Sequence, residues 1–190
     1  METARLVQRF RGTRVVGFDI ASDEANYPID AHIGAFEFVR GHGIPCTAHA
    51  GEARGPDSVW ETLLHFQPRR LGHGVRSAED PRLLDFLLEN DIHLEVCPTS
   101  NVQTNVYPSI AQHPVNDLYA RGLSLGINTD GRALCHTTLQ REYQTLHQTF
   151  GWGSAHFQHC NREALRHAFL PDAKKHALAR RLQPTSSAED

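Results

Sequence analysis

Four short apolar runs in this chain each stop at a residue able to bind a metal or move a proton. Thr47-Ala48-His49-Ala50-Gly51-Glu52 ends the first and Arg70-Leu71-Gly72-His73-Gly74 the second. Leu94-Glu95-Val96-Cys97-Pro98-Thr99-Ser100 ends the third and Leu125-Gly126-Ile127-Asn128-Thr129-Asp130 the fourth. Segments with helical spacing separate them: Ala31 to Gly41, Pro56 to His65, Pro81 to Glu89 and His113 to Ala120. Strands that alternate with helices form a parallel sheet with right-handed crossovers. In such a sheet all strands end on the same side, so these chemically capable residues gather on one rim.

An earlier run, Arg14 to Ala21, is short, β-branched and near-continuously apolar, and reads as a further strand. With Ile44 to Ala50, Arg70 to Gly74, Ile92 to Cys97 and Leu123 to Asn128 it makes about five. From Leu139 onward the pattern is helical only: Leu139 to Phe150, Ser154 to Phe169 and Pro171 to Leu182. No glycine-rich loop opens any helix, which weighs against a dinucleotide-binding sheet. Capable residues at several strand ends favour a barrel. The expected fold is α/β, an incomplete (β/α)8 barrel of the TIM type with extra C-terminal helices. Residues 1–183 form one domain, followed by a polar tail at 184–190.

Composition excludes more than it specifies. The 190 residues suffice for one domain with a sizeable core. A net charge of −3 gives no footprint for nucleic acid or a membrane surface. No stretch is apolar enough to span a bilayer, and Met1 to Arg5 lacks the pattern of a secretion signal, so the expected location is the cytoplasm. Cys46, Cys97, Cys135 and Cys160 form no CxxC pair and read as buried free thiols.

His49 and Glu52, three apart where strand becomes loop, suit a zinc ligand and a proton donor facing one pocket. His73, between two glycines, suits close approach to a substrate or water. Asp130 ends the last apolar run. Each has a blander reading: a core histidine, a surface glutamate, a loop histidine, an Asp-Gly turn. The joint case is stronger, because four such accidents would have to fall at strand ends of one polarity. His156-x-x-His159-Cys160 has metal-compatible spacing but reads better as part of a surface helix, and Cys97 as a packed thiol before a proline turn.

These motifs, in this order, resemble the adenosine deaminase family. The matching stretches are Gly17 to Glu24, HAGE at His49 to Glu52, LGHGV at Leu71 to Val75, EVCPTSN at Glu95 to Asn101 and NTDG at Asn128 to Gly131. The Thr137-Thr138-Leu139 helix start and the Ala168-Phe169-Leu170-Pro171 ending also match, so the resemblance runs from about Val15 to Leu182. It implies that His49 and Asp130 are Zn²⁺ ligands, that Glu52 protonates the purine nitrogen N1, and that His73 positions and helps activate the zinc-bound water. It implies substrate contacts at Ser22, Gly51 and Gly131. The reaction would be hydrolytic deamination of a 6-aminopurine nucleoside to inosine and ammonia.

Departures from the family pattern are large. The family's first strand carries His-x-His, two further zinc ligands, and no His-x-His occurs in these 190 residues. The first three β-α units are missing by that comparison, so the expectation is a fragment that is inactive alone. Ser22 stands where the family often has Gly, and Gly131 where it often has a second Asp. The alternatives are a deaminase of aminodeoxyfutalosine or another modified 6-aminopurine, and an inactive remnant or half-barrel needing a complementing N-terminal half. A cut barrel is also expected to expose Val15 to Ile20 as a sticky edge and to strip apolar inward faces of their opposite wall.

Overall fold

A computed structural model describes residues 1–182. Four parallel strands lie in the order of the sequence: β1 (Thr47–Ala50), β2 (Arg70–His73), β3 (His93–Val96) and β4 (Leu125–Ile127). Ala48 pairs with Leu71, Leu71 with Leu94 and Leu94 with Leu125, so one register line crosses the whole sheet. The helices are α1 (Glu2–Arg9), α2 (Ile33–Gly41), α3 (Pro56–Phe66), α4 (Pro81–Glu89), α5 (Pro98–Gln103), α6 (Val115–Ala120), α7 (Arg132–Cys135), α8 (Leu139–Phe150), α9 (Ser154–His167) and α10 (Asp172–Arg181).

Local chemistry explains several boundaries. Proline opens α3, α4 and α5, where the first turn has no use for its missing N–H. Asp80 caps α4 by accepting from the Arg82 N–H at 2.9 Å, and the Trp60 indole donates to the same carboxylate. Thr138 caps α8, which ends at Gly151 with φ +72°. Three helices, α1, α5 and α7, were not evident from apolar spacing. The first has a narrow stripe, only Ala4 and Val7 reaching the core, and the other two are too short to show a period.

The expected fifth strand is the main correction. Residues 14–21 do not form a regular strand, although Phe18 bridges Cys46 in parallel. The Phe18 N–H donates to the Pro45 carbonyl, and the Thr47 and His49 N–H groups donate to Phe18 and Ile20. The segment therefore runs beside β1 with a partial ladder. Only Phe18 of its large apolar residues is fully buried, and Val15 and Val16 are exposed. The polar tail expected at 184–190 lies outside the described residues.

The two faces of the sheet differ in kind. Ala50, Leu71, Leu94, Val96, Leu125 and Ile127 face the helices and join Leu83, Leu87, Leu118, Leu146 and Trp152 in the larger core. A second core holds Phe18, Phe36, Val39, Ala48 and Phe66, with the Phe36 and Phe66 rings stacked 3.8 Å apart. The inward face is polar. The Thr47 hydroxyl donates to Glu95 at 3.2 Å, Arg70 lies 3.4 Å from the same carboxylate, and His93 meets Ser124 at 2.8 Å. The expectation of apolar inward faces is thus wrong: the oily side chains point outward under the helices, and ions and imidazoles fill the middle. All four cysteines are free and buried, as expected. No described helix is long and apolar enough to cross a membrane.

Candidate active site

The rim at the carboxyl ends of the strands carries His49, Glu52, His73 and Asp130. His49 sits on β1 opposite Gly72 of β2. A β-carbon at Gly72 would come within 2.7 Å of the His49 ring, so the missing side chain makes room for the imidazole. The His49 Nδ1 lies 3.0 Å from the Ile20 carbonyl and 3.5 Å from Asp19. Nδ1–H therefore donates, and Nε2 keeps its lone pair for another partner. The hydrogen bond to Asp19 holds the His49 imidazole above its ordinary pKa, against the effect of burial.

His73 ends β2, and its ring lies 5.3 Å from that of His49. Its Nε2 is 3.4 Å from the Glu52 carboxylate, whose side chain is half-buried. Burial pushes the His73 imidazole below its ordinary pKa despite that carboxylate, so the ring is neutral at pH 7. His73 and Asp130 both adopt left-handed backbone, φ +59° and +54°. Side chains seldom accept that geometry, and here it turns both groups at the ends of their strands. The Asp130 carboxylate accepts from the Ser100 hydroxyl at 2.8 Å and the Gly131 N–H at 2.7 Å. Burial acts to raise its pKa, but these bonds and the neighbouring His73 and His49 outweigh it and hold the group ionised.

Glu24 builds the turn that carries Glu52. Its two oxygens accept from the N–H groups of Gly51, Glu52, Ala53 and Arg54, at 2.7 to 3.1 Å, and from the Ser58 hydroxyl. Burial opposes the charge, yet these donors hold the carboxyl below its ordinary pKa. Gly51, with φ +69°, is required at the start of the turn, because a β-carbon there would strike Val59. Ser22 is exposed and lines a cavity of 370 Å³ together with Ile20, Glu24, His49 and Arg54.

An adenosine deaminase family profile matches residues 1–185. The chain belongs to the adenosine deaminase family. It is 38% identical over 189 residues to adenosine deaminase 1 of Streptomyces coelicolor, covering 94% of this chain and 48% of that protein. It is 40% identical over 188 residues to an adenosine deaminase of Mycobacterium sp. strain JLS, covering 93% of this chain and 52% of the relative. The chain thus spans about half the length of these curated relatives. Among solved structures, the N6-methyl-AMP deaminase of Arabidopsis thaliana superposes with a TM-score of 0.89 at 26% identity, covering 99% of this chain and 55% of that one.

For a member of the adenosine deaminase family, the metal is the sharpest question. An imidazole nitrogen and a carboxylate are donors zinc accepts. Among the described residues, however, no group of three His, Cys, Asp or Glu is placed to share a metal ion. Taken as zinc ligands, His49 and Asp130 alone would leave half of the site unfilled, so this chain is expected to bind Zn²⁺ weakly. Equilibrium dialysis checks this, and tight stoichiometric zinc would show that donors have been overlooked. The His156-x-x-His159 pair instead packs on aromatic rings: both imidazoles lie against Tyr119, and His156 also stacks on Trp152. Cys97 is buried, and burial pushes its thiol far above the ordinary range, which makes it inert as a nucleophile.

Sequence reasoning missed the partners rather than the rim itself. Glu24, Ser100 and Asn101 lie inside the motifs that carry the family resemblance but had no role assigned. Glu142 was unmarked: fully buried, it accepts from the Thr137 hydroxyl and the Thr99 N–H, tying α8 to the start of α5. A glutamate on an otherwise amphipathic helix gives no sequence signal of burial.

Proposed function

We propose that this chain carries the acid–base half of a purine nucleoside deaminase site, and that residues outside it complete the site. The observation that carries the reading is the Glu52–His73 pair on the strand-end rim that also bears His49 and Asp130. Family membership and coverage of about half of each relative support it.

His49, with Nδ1 committed to Ile20, and Asp130 would hold a zinc ion together with ligands from elsewhere. When bound, zinc supplies a water of lowered pKa for attack on the amino-bearing ring carbon. Glu52 gives a proton to ring nitrogen N1, which makes that carbon electrophilic. His73, neutral and directed by its backbone toward Glu52, orients the incoming water. Glu24 fixes the turn, so Glu52 meets the substrate in one geometry. Ammonia leaves, and a 6-oxopurine remains. The Ser22 and Gly51 backbone would line the nucleoside.

Gly131 favours a second reading, in which the substrate is a modified 6-aminopurine such as aminodeoxyfutalosine. The position tolerates a side chain: a β-carbon would meet only Leu134, at 3.3 Å, and that side chain is exposed and free to move. Gly131→Asp would restore a hydrogen bond to the purine worth about 0.5–1.5 kcal/mol. In completed protein, the ratio of kcat/KM for adenosine to that for modified nucleosides is expected to rise several-fold. An unchanged ratio would assign the contact to another residue, with Arg132 the first to test. The class of substrate is tested in completed protein by following ammonia release from adenosine, adenine, adenosine monophosphate and aminodeoxyfutalosine side by side. Turnover of none of them would remove the deaminase reading.

A further inference from the structure

Behind the rim lies a buried file of polar groups that the proposed reaction does not use. His113 and Asn101 are at most 3% exposed, as is His73. The Val115 N–H donates to His113 Nδ1 at 3.1 Å. A nitrogen that accepts from a backbone donor carries no proton, so the His113 proton sits on Nε2. Burial supports this neutral form, holding the ring near pKa 3. His113 Nε2 lies 3.2 Å from Asn101 Oδ1 and donates to it. That contact decides which way the Asn101 amide points. Its nitrogen then faces His73 Nδ1 at 3.1 Å and Glu52 Oε1 at 3.3 Å. An amide NH₂ only donates, so His73 Nδ1 must accept, and the His73 proton sits on Nε2, facing Glu52. Tyr107 packs edge-on against His113 at 5.0 Å and holds its plane.

We infer that His113 is a positioning residue: through Asn101 it locks His73 in the Nε2–H tautomer and points that N–H at Glu52 and the reacting groups. One fixed backbone N–H, at Val115, sets every proton in the file. The inference rests on the deaminase reading for its consequence in catalysis, but the tautomer itself is a property of this chain.

Long-range ¹H–¹⁵N spectra of histidine-labelled protein at pH 7 read tautomers directly. The wild-type chain is expected to show His73 as Nε2–H and His113 as Nε2–H. Asn101→Asp keeps the shape but removes the donor, and is expected to move the His73 proton to Nδ1. His113→Phe frees the Asn101 amide and should give His73 as a mixture of both forms. His113→Gln retains a donor toward Asn101 and should restore Nε2–H. In completed protein, His113→Phe is expected to lower kcat roughly 10- to 100-fold, the range for removing a group that orients another, with KM little changed. His73 found as Nδ1–H in the wild type, or unmoved in both Asn101→Asp and His113→Phe, would overturn the inference. If His113→Phe does not fold, Asn101→Asp decides alone. Expected spectra with no turnover from completed wild-type protein would defeat the deaminase reading and leave the tautomer lock standing.

Discussion

Glu52→Gln is expected to lower the rate of deamination by about 10²–10⁴-fold, the usual contribution of a positioned general acid, in protein completed by an N-terminal half. The amide has the shape of the carboxyl group. It keeps an oxygen for Asn101 and Thr104, both 3.3 Å from Glu52 Oε1. It also keeps the backbone N–H bound to Glu24. Two capacities are lost: an acceptor for the His73 Nε2–H, 3.4 Å from Glu52 Oε2, and the proton transfer to N1 that the proposal assigns to Glu52. Zinc content should therefore match the wild type and the melting temperature should fall only slightly, while kcat falls by orders of magnitude. A Glu52→Gln enzyme of near-normal rate would remove Glu52 from the donor role.

Acid should destabilise this fold well above the range where carboxylates titrate. Burial holds His93 near pKa 3, with the nearby His167 and Arg70 adding to the effect, and holds His113 near 3 as well, against an ordinary 6.5. Both are neutral in the folded chain. The unfolded chain takes up protons at these positions as pH drops below 6.5, so stability is complete above that pH and is lost as pH falls toward 3. A proton bound only by the unfolded chain costs about 1.4 kcal/mol for each further drop of one in pH, so from pH 7 to pH 5 the two rings together cost about 4 kcal/mol. His49, raised by Asp19, works in the opposite sense and offsets part of this. Net stabilities are only about 5–15 kcal/mol, so the urea midpoint should fall steeply between pH 7 and pH 5. His113→Gln should flatten that slope. A midpoint that does not move over this range would mean that the buried rings find acidic partners on protonation.

The rim residues were legible in the sequence because strand ends are punctuated. His49, His73 and Asp130 each follow an apolar run, and the parallel order places them on one edge. The polarity of the inward face was not legible. In a strand such as Arg70-Leu71-Gly72-His73 the alternation is plain, but nothing local says whether Leu71 or Arg70 faces the helices. That depends on the surrounding helices, which cover Leu71 and leave Arg70 to meet Glu95. The weakness of the Arg14 to Ala21 segment was not legible either: its residues suit a strand, yet its ladder to β1 is partial, with Phe18 bridging Cys46 while Val15 and Val16 stay exposed. Glu24 and Asn101 were hidden because their partners lie far along the chain. Asn101 meets His73 from 28 residues away and Glu52 from 49.

The measurement that bears most directly on the proposed function is ammonia release from adenosine by this 190-residue chain, alone and co-expressed with the N-terminal half of the Streptomyces coelicolor relative. The proposed zinc site, with only two of its ligands in this chain, and an open barrel wall predict no release from the chain alone. They predict release when the N-terminal half is present, abolished by Glu52→Gln in this chain. Robust release by the chain alone, or release from the co-expressed pair that survives Glu52→Gln, would contradict the proposal.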